Sequence, residues 1–285
     1  MKIINKFRQG RAVLSFEVFP PKKDMPHEVI YNTLEELAKL SPDFISVTYG
    51  SGGSNPGITC EVVSKIIHEH NIDALAHITC INSTKEQVKT VLDNFAANGI
   101  ENVLALRGDR IPNVEPKNDF KYSSELTQFI KQNSNFSVAG ACYPETHCDS
   151  ASVADDILNL KHKIDAGAEN LITQLFFDNS AFYAFRERCA CASISVPISA
   201  GIMPVTNKKQ IERMVSMCGA SLPAKFTKIM QKYGDNPEAL CDAGIAYAIE
   251  QIVDLLANDV DGIHIYTMNN SSLAKQIYYA VNKLL

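Results

Sequence analysis

The chain has 285 residues, of which 46% are hydrophobic and 21% charged, with a formal net charge of -5. That length suits one large α/β barrel or two ordinary domains, no apolar run approaches the roughly 18 residues of a membrane span, and the acidic balance argues against a surface built chiefly to hold nucleic acid. The N-terminal MKIINKFRQGR leads into a strand-like run rather than a long apolar signal core, so the expectation is a cytoplasmic protein acting on small molecules.

The first strand-like run, LSFEVFPPK from Leu14 to Lys22, alternates Leu14, Phe16 and Val18 with Ser15, Glu17 and Phe19, and two prolines stop it. A glutamate inside such a strand must find a partner, shift its pKa or serve a reaction, because an unpaired buried carboxylate is costly. Further β-rich runs follow: FISVTYG at 44, DALAHIT at 73, NVLALRG at 102, SVAGACY at 137, NLITQLF at 170, ISAGIMP at 198 and GIHIYTM at 262. Helical patterns lie between them at Glu28 to Leu40, Cys60 to His70, Lys85 to Asn98, Ser152 to Ala166 and Ala181 to Ala192. Ser83 and Glu86 suit a capping box for the third, and Gly99 suits its stop. The first seven strands begin about 30 residues apart, the length of a βα unit with a right-handed crossover. The last interval is longer and holds extra helices around 207–218, 223–233 and 236–257. With no linker dividing the chain, the expected fold is α/β, a single TIM-type (βα)8 barrel over residues 1–285 with extra helices before the last strand.

In such a barrel, alternate strand residues face the interior, and polar ones near the C-terminal ends reach the mouth. By this parity Glu17 faces inward against Leu14, Phe16 and Val18, and Thr48 does so against Ile45 and Val47. The same rule selects His77 and Thr79 against Ala76 and Ile78, Arg107 and Asp109 against Leu104 and Leu106, Gln174 against Leu171 and Leu175, and Tyr143 against Val138 and Cys142.

No GxGxxG or GxxxxGK[ST] cradle is present. GSGGSNPG after the second strand reads as a flexible βα loop. Arg107, Gly108 and Asp109 put a cation, a closely approachable backbone and an anion at one rim, which suits a polyanionic aromatic cofactor. The eight cysteines show no CxxC framework, so reduced thiols are expected. Cys142, His147 and Cys148 in ACYPETHC lack a second pair at zinc spacing, and no metal site is expected.

Taken together, LSFEVFPPK, FISVTYG, AHITC, LALRGD, CYPETH, NLKHKIDAGA, ITQLFFD, GIMPV and IYTMN resemble the 5,10-methylenetetrahydrofolate reductase family in its bacterial single-domain form. The resemblance runs through nearly the whole chain in the same order. It implies a flavoprotein of one-carbon metabolism that uses FAD, takes electrons from NADH or NADPH, and reduces methylenetetrahydrofolate to 5-methyltetrahydrofolate. Thr48, Tyr49, His77, Arg107, Gly108, Asp109, Tyr143, His147, Asp156, Asn159 and Lys163 match the family's FAD contacts. Independently of that match, Val153, Ile157, Leu160 and Ile164 form a helical apolar stripe with Asp156, Asn159 and Lys163 along its border. On the folate side, Glu17, Asp109, Gln174 and Gln210 match. Met214 stands where the family has an aromatic residue, and Asn270 where it has an arginine.

Opening the folate's aminal bridge needs an acid, and the resemblance assigns it to Glu17, with a pKa raised by its apolar surroundings. The resemblance further implies that Asp109 hydrogen-bonds the pterin and steadies its positive charge. Nicotinamide and folate are expected to use one flavin face in turn. A homo-oligomer is expected. The main rival is a flavin- and folate-binding subunit fed by an electron-transfer partner, and a flavin-free TIM-barrel lyase is the third reading.

Overall fold

Parallel strands leave backbone donors and acceptors exposed at any free edge, and closing the sheet on itself removes the edge altogether. The computed structural model describes residues 1–21, 26–49, 56–109 and 115–285, and the side chains at positions 56, 210, 213 and 217 also lie outside that description. Strands β1 (Val13–Val18), β2 (Phe44–Val47), β3 (Asp73–Thr79), β4 (Asn102–Leu106), β5 (Ser137–Cys142), β6 (Asn170–Thr173), β7 (Ile198–Ile202) and β8 (Gly262–Tyr266) pair in parallel in chain order, and β8 returns to β1. The result is the expected (βα)8 barrel.

Among the described residues the helices are α1 (Glu28–Ala38), α2 (Pro56–His68), α3 (Lys85–Ala97), α4 (Ser123–Asn133), α5 (Val153–Asp165), α6 (Asn179–Cys191), α7 (Lys208–Cys218), α8 (Ala224–Tyr233), α9 (Pro237–Ala257) and α10 (Ser271–Val281). The extra helices before the last strand are α7 to α9. None of the helices is long and apolar enough to cross a membrane. Two of them, α4 and α10, extend the expected set. Their stripes, Leu126, Thr127 and Ile130 in one and Leu273, Ala274, Ile277 and Val281 in the other, are buried at helical spacing.

Three local expectations change. The capping box of α3 is one residue later: Thr84 accepts from Gln87 N, and the Gln87 side chain accepts from Thr84 N, so Ser83 and Glu86 do not form it. Gly99 does end the helix, at φ +74°, a conformation that favours glycine. On α5 the apolar stripe is narrower than its spacing suggests, since Val153 is 47% exposed. The GSGGSNPG loop lies outside the described residues up to its last two positions.

The third change concerns β4. Val103 and Ala105 join the helix-facing core, whereas Leu104 joins Val13, Phe44, Leu75, Ala139 and Ile172 in an apolar layer inside the barrel, with Leu106 packed against it. The interior set of β4 is therefore even-numbered, and Arg107 and Asp109 do not belong to it. The strand ends at Leu106, and Gly108 at φ +84° breaks the alternation on which the parity rule rests. On β1 and β3 the rule holds: Glu17 and His77 are buried on the strand face opposite the helix-facing Phe16, Val18, Ala76 and Ile78.

Ile3, from an N-terminal 3-10 helix over Ile3–Arg8, closes the barrel floor below this layer. Asn102 fixes it by accepting from Ile3 N at 2.8 Å and donating to Met1 O at 3.1 Å. Each fully buried Val, Leu, Ile or Phe contributes roughly 1.5–3 kcal/mol. The helix-facing layer and the floor therefore carry the stability, which leaves the upper interior free to be polar.

Glycine 201 shows how tightly that upper interior is filled. A Cβ there would lie 2.4 Å from Thr173 O and 2.8 Å from Tyr266 Oη, and Tyr266 donates to Thr173 O at 2.6 Å. Gly201→Ala should lower unfolding stability by about 1–3 kcal/mol, read as a reduced urea midpoint at constant slope. An unchanged midpoint would mean that the β6 backbone at Thr173 and the Tyr266 ring both give way freely.

Candidate active site

Above the apolar floor, the interior of the barrel turns polar. Glu17 on β1 pairs in register with Ser46 on β2 and Tyr266 on β8, and Ser15 pairs with His264. Ser15, Ser46 and His264 are fully buried, and Glu17 and His77 nearly so. The carboxylate Oε2 of Glu17 accepts from Ser46 Oγ at 3.4 Å and lies 3.5 Å from Nε2 of both His264 and His77. Nδ1 of His264 is 2.7 Å from Ser15 Oγ, and its ring stacks on Phe44 of the floor with centroids 6.1 Å apart.

Burial alone would push the Glu17 carboxyl up. The His264 hydrogen bond, the charges of His77 and His264 and the Ser46 hydroxyl outweigh it, and the carboxyl sits below its ordinary value. This corrects the expectation of a raised pKa. The apolar residues flanking Glu17 in sequence face the helices, while its actual neighbours come from β2, β3 and β8. His264 and Ser46 were not among the expected site residues. The alternation of Gly262, His264 and Tyr266 with Ile263 and Ile265 carries the same inward signal as the other strands and could have found the histidine.

A separate pocket of about 370 Å³ opens at the ends of β4 and β5. It gathers six of the expected cofactor residues: Arg107, Tyr143, His147, Asp156, Asn159 and Lys163. Arg107 donates to Asp149 Oδ2 at 2.8 Å, Ser150 Oγ donates to Asp156 Oδ1 at 2.7 Å, and Lys163 Nζ donates to Ala141 O. The His147 ring meets Tyr143 edge-on with centroids 4.5 Å apart. Burial pushes the Tyr143 phenol well up, so it stays a neutral donor. The Lys163 side chain is partly exposed, yet burial of its ammonium holds the pKa below the usual lysine range, opposed by Cys142 and Asp156. Two cations beside a carboxylate, an amide and an imidazole suit a ligand with a phosphate at one end and hydroxyl or amino groups at the other.

Thr48, Tyr49, His77, Gly108 and Asp109 do not line this pocket. The Thr48 hydroxyl is buried without a hydrogen-bond partner among the described residues, and burial raises the Tyr49 phenol. His77 belongs to the Glu17 cluster instead. Asp109 is exposed, and its charge acts on the Cys218 thiol at the end of α7. The side-chain oxygen of Gln174 accepts from Leu175 N at 2.8 Å. Met214 packs on the apolar cluster of Leu175, Phe177 and Phe226, and Asn270 caps α10 by accepting from Leu273 N. The Gln210 side chain lies outside the described residues. Ligand atoms of His147, Cys148 and Asp149 fall within 4.8 Å of one another, but His147 Nδ1 accepts from Asp149 N and Asp149 pairs with Arg107. Cys142 points into the core.

The profile of the family described as Methylenetetrahydrofolate reductase matches residues 2–282. The chain is 34% identical over 273 residues to 5,10-methylenetetrahydrofolate reductase of Escherichia coli (strain K12), covering 96% of this chain and 92% of that protein. It is also 34% identical to Methylenetetrahydrofolate reductase (NADH) 1 of Arabidopsis thaliana, covering 94% of this chain and 49% of the plant protein. Among solved structures, an uncharacterized protein from Clostridium thermocellum that binds two copies of 5-methyl-5,6,7,8-tetrahydrofolic acid superposes with a TM-score of 0.66 at 15% identity, covering 97% and 99% of the two chains. That likeness is one of fold.

The buried cluster makes stability depend on pH. Burial lowers His77 from 6.5 to about 4, and the charge of Glu17 opposes the shift. The unfolded chain therefore takes up a proton that the folded one refuses, and stability falls as the pH drops from about 6.5 towards 4, by up to roughly 3 kcal/mol. Glu17, depressed in the fold, adds its own loss below the usual carboxylate range. Urea unfolding of His77→Gln should lose the slope between pH 6.5 and 4.5 that the unaltered protein shows; equal slopes would mean that His77 titrates normally.

Proposed function

The chain belongs to the methylenetetrahydrofolate reductase family, and on that premise we propose that it binds FAD and reduces 5,10-methylenetetrahydrofolate to 5-methyltetrahydrofolate with electrons from NADH or NADPH. The observation that carries the reading is Glu17, a carboxylate facing two imidazoles inside a barrel that also carries a cationic pocket at the ends of β4 and β5.

The residues present fit a flavin dinucleotide. Arg107 and Lys163 would hold the pyrophosphate, and Asp156 and Asn159 the hydroxyl and amino groups of its nucleoside end. His147 and Tyr143 offer further donors and a ring face. The Thr48 hydroxyl, without a hydrogen-bond partner among the described residues, would be available to the ring system. Bound there, FAD would supply hydride transfer from the nicotinamide to the folate's one-carbon unit.

The rest of the chemistry falls to the protein. Methylenetetrahydrofolate holds its carbon as an aminal between two nitrogens, and one C–N bond must open to an iminium cation before hydride can add. Opening requires a proton on the departing nitrogen, and Glu17 is the proposed donor. Because its carboxyl is depressed in the free protein, it must first take up a proton, and the imidazole of His264, hydrogen-bonded to its Oε2, is the neighbour within reach. A folate filling the mouth displaces water and raises the carboxyl towards its donor form. Asp109 would hydrogen-bond the pterin and steady the cation, with Gln174 and Gln210 as further folate contacts.

Two measurements test this reading. The purified protein should be yellow or take up FAD on titration; a colourless protein that binds none removes the flavin. Glu17→Gln keeps size and polarity but not the acid. It should spare nicotinamide-driven bleaching in anaerobic stopped flow while slowing folate reduction roughly 10²–10⁴-fold. Equal losses in both half-reactions, on protein with full FAD occupancy, would make Glu17 a structural residue.

A further inference from the structure

Gly140 lies in the middle of β5, on the face turned towards α5, between Val138 and Cys142 of the helix-facing core. Its backbone has no positive φ, so conformation does not demand a glycine. Space does. A Cβ at this position would lie 2.6 Å from Lys163 Cδ, 3.5 Å from Lys163 Cγ and 3.2 Å from Leu171 Cδ2. The lysine stem thus occupies the volume that a side chain on Gly140 would fill. It crosses the strand there, and its ammonium donates to Ala141 O in the lining of the rim pocket.

An α5 lysine that meets the sheet would ordinarily snorkel outwards, because the stem tolerates apolar contact and the head does not. Here the missing side chain opens a path along the strand to the rim. We propose that Gly140 is the positioning residue for the pocket's ammonium: the gap it leaves delivers Lys163 to Ala141 O and so sets the pocket's affinity for the pyrophosphate of a dinucleotide. The ligand part of this inference rests on the flavin reading above. Gly140 itself touches no ligand; it acts only through Lys163.

A purely packing role for Gly140, letting α5 approach the sheet, has different consequences. It would weaken every ligand of the pocket alike, and it would do so whether or not Lys163 is present. The discriminating pair is FAD and riboflavin, since riboflavin carries the ring without the phosphates. Dissociation constants from flavin fluorescence quenching on apoprotein, with circular dichroism to verify folding, give the comparison. Gly140→Ala should weaken FAD about tenfold, the size of a charge-assisted contact, and leave riboflavin unchanged. In Lys163→Ala, which removes both Cγ and Cδ, adding Gly140→Ala should cost no more than about twofold, the limit expected for sites that no longer interact. Effects that multiply, or equal losses of FAD and riboflavin, would overturn the proposal.

A second readout needs no flavin. Trace acetylation followed by mass spectrometry should label Lys163 several-fold faster in Gly140→Ala, as the amine leaves its carbonyl. Unchanged labelling would overturn the proposal by itself. If the unaltered protein binds no FAD while the labelling changes as expected, it is the flavin reading that fails, and the placement of Lys163 by Gly140 stands.

Discussion

Taking the Glu17 carboxylate out of water costs several kcal/mol, and the barrel offsets that cost with polar partners drawn from strands far apart in the chain. Ser46 on β2 and His264 on β8 hydrogen-bond the same oxygen, and His77 on β3 faces it at 3.5 Å as an electrostatic partner with no hydrogen bond among the described residues. A hydrogen bond to a charged group contributes about 1.5–3 kcal/mol, so no single one of these partners suffices. Their sum does, and the carboxyl ends below its ordinary pKa. The arrangement also explains why His264 is itself held on two sides. Ser15 fixes one ring nitrogen and Phe44 supports the ring face, so the donor cannot swing away from the acid it faces.

Much of the barrel could be read directly from the chain, because strand alternation and the spacing of the βα units are local signals. Glu17 and His77 were legible by the same alternation, and His264 obeys it equally. The state of Glu17 was not legible. Its sequence neighbours Phe16 and Val18 are apolar and imply a raised carboxyl, yet they face the helices. The residues that set its charge lie 29, 60 and 247 positions away in the chain. Parity tells which way a side chain points; it cannot tell what it meets.

Glycines mark the other limit. Gly108, Gly140 and Gly201 each stand where a Cβ would enter occupied volume, against Thr79 at the first, Lys163 at the second, and the Thr173 carbonyl and Tyr266 ring at the third. In the sequence they look like ordinary strand or rim glycines. Only the fold shows which neighbours each one admits. The same holds for the Arg107 to Asp109 run, where composition suggests a ligand rim but taking Leu104 and Leu106 as the helix-facing pair gives the wrong face.

The turn that follows β4 links the acid cluster to the rim pocket. His77 and Thr79 lie on the same face of β3, the first beside Glu17 and the second 2.9 Å from the position a Gly108 Cβ would take. With Thr79 there, the chain can pass only as a glycine, and at φ +84° it leaves the strand instead of continuing its alternation. Arg107, just before the turn, is thereby left in the pocket lining, and Asp109, just after it, stands exposed at the mouth. One strand thus supports both centres. A change at Thr79 that let the turn relax would move the cation and the rim carboxylate together, while the acid cluster two residues below kept its geometry.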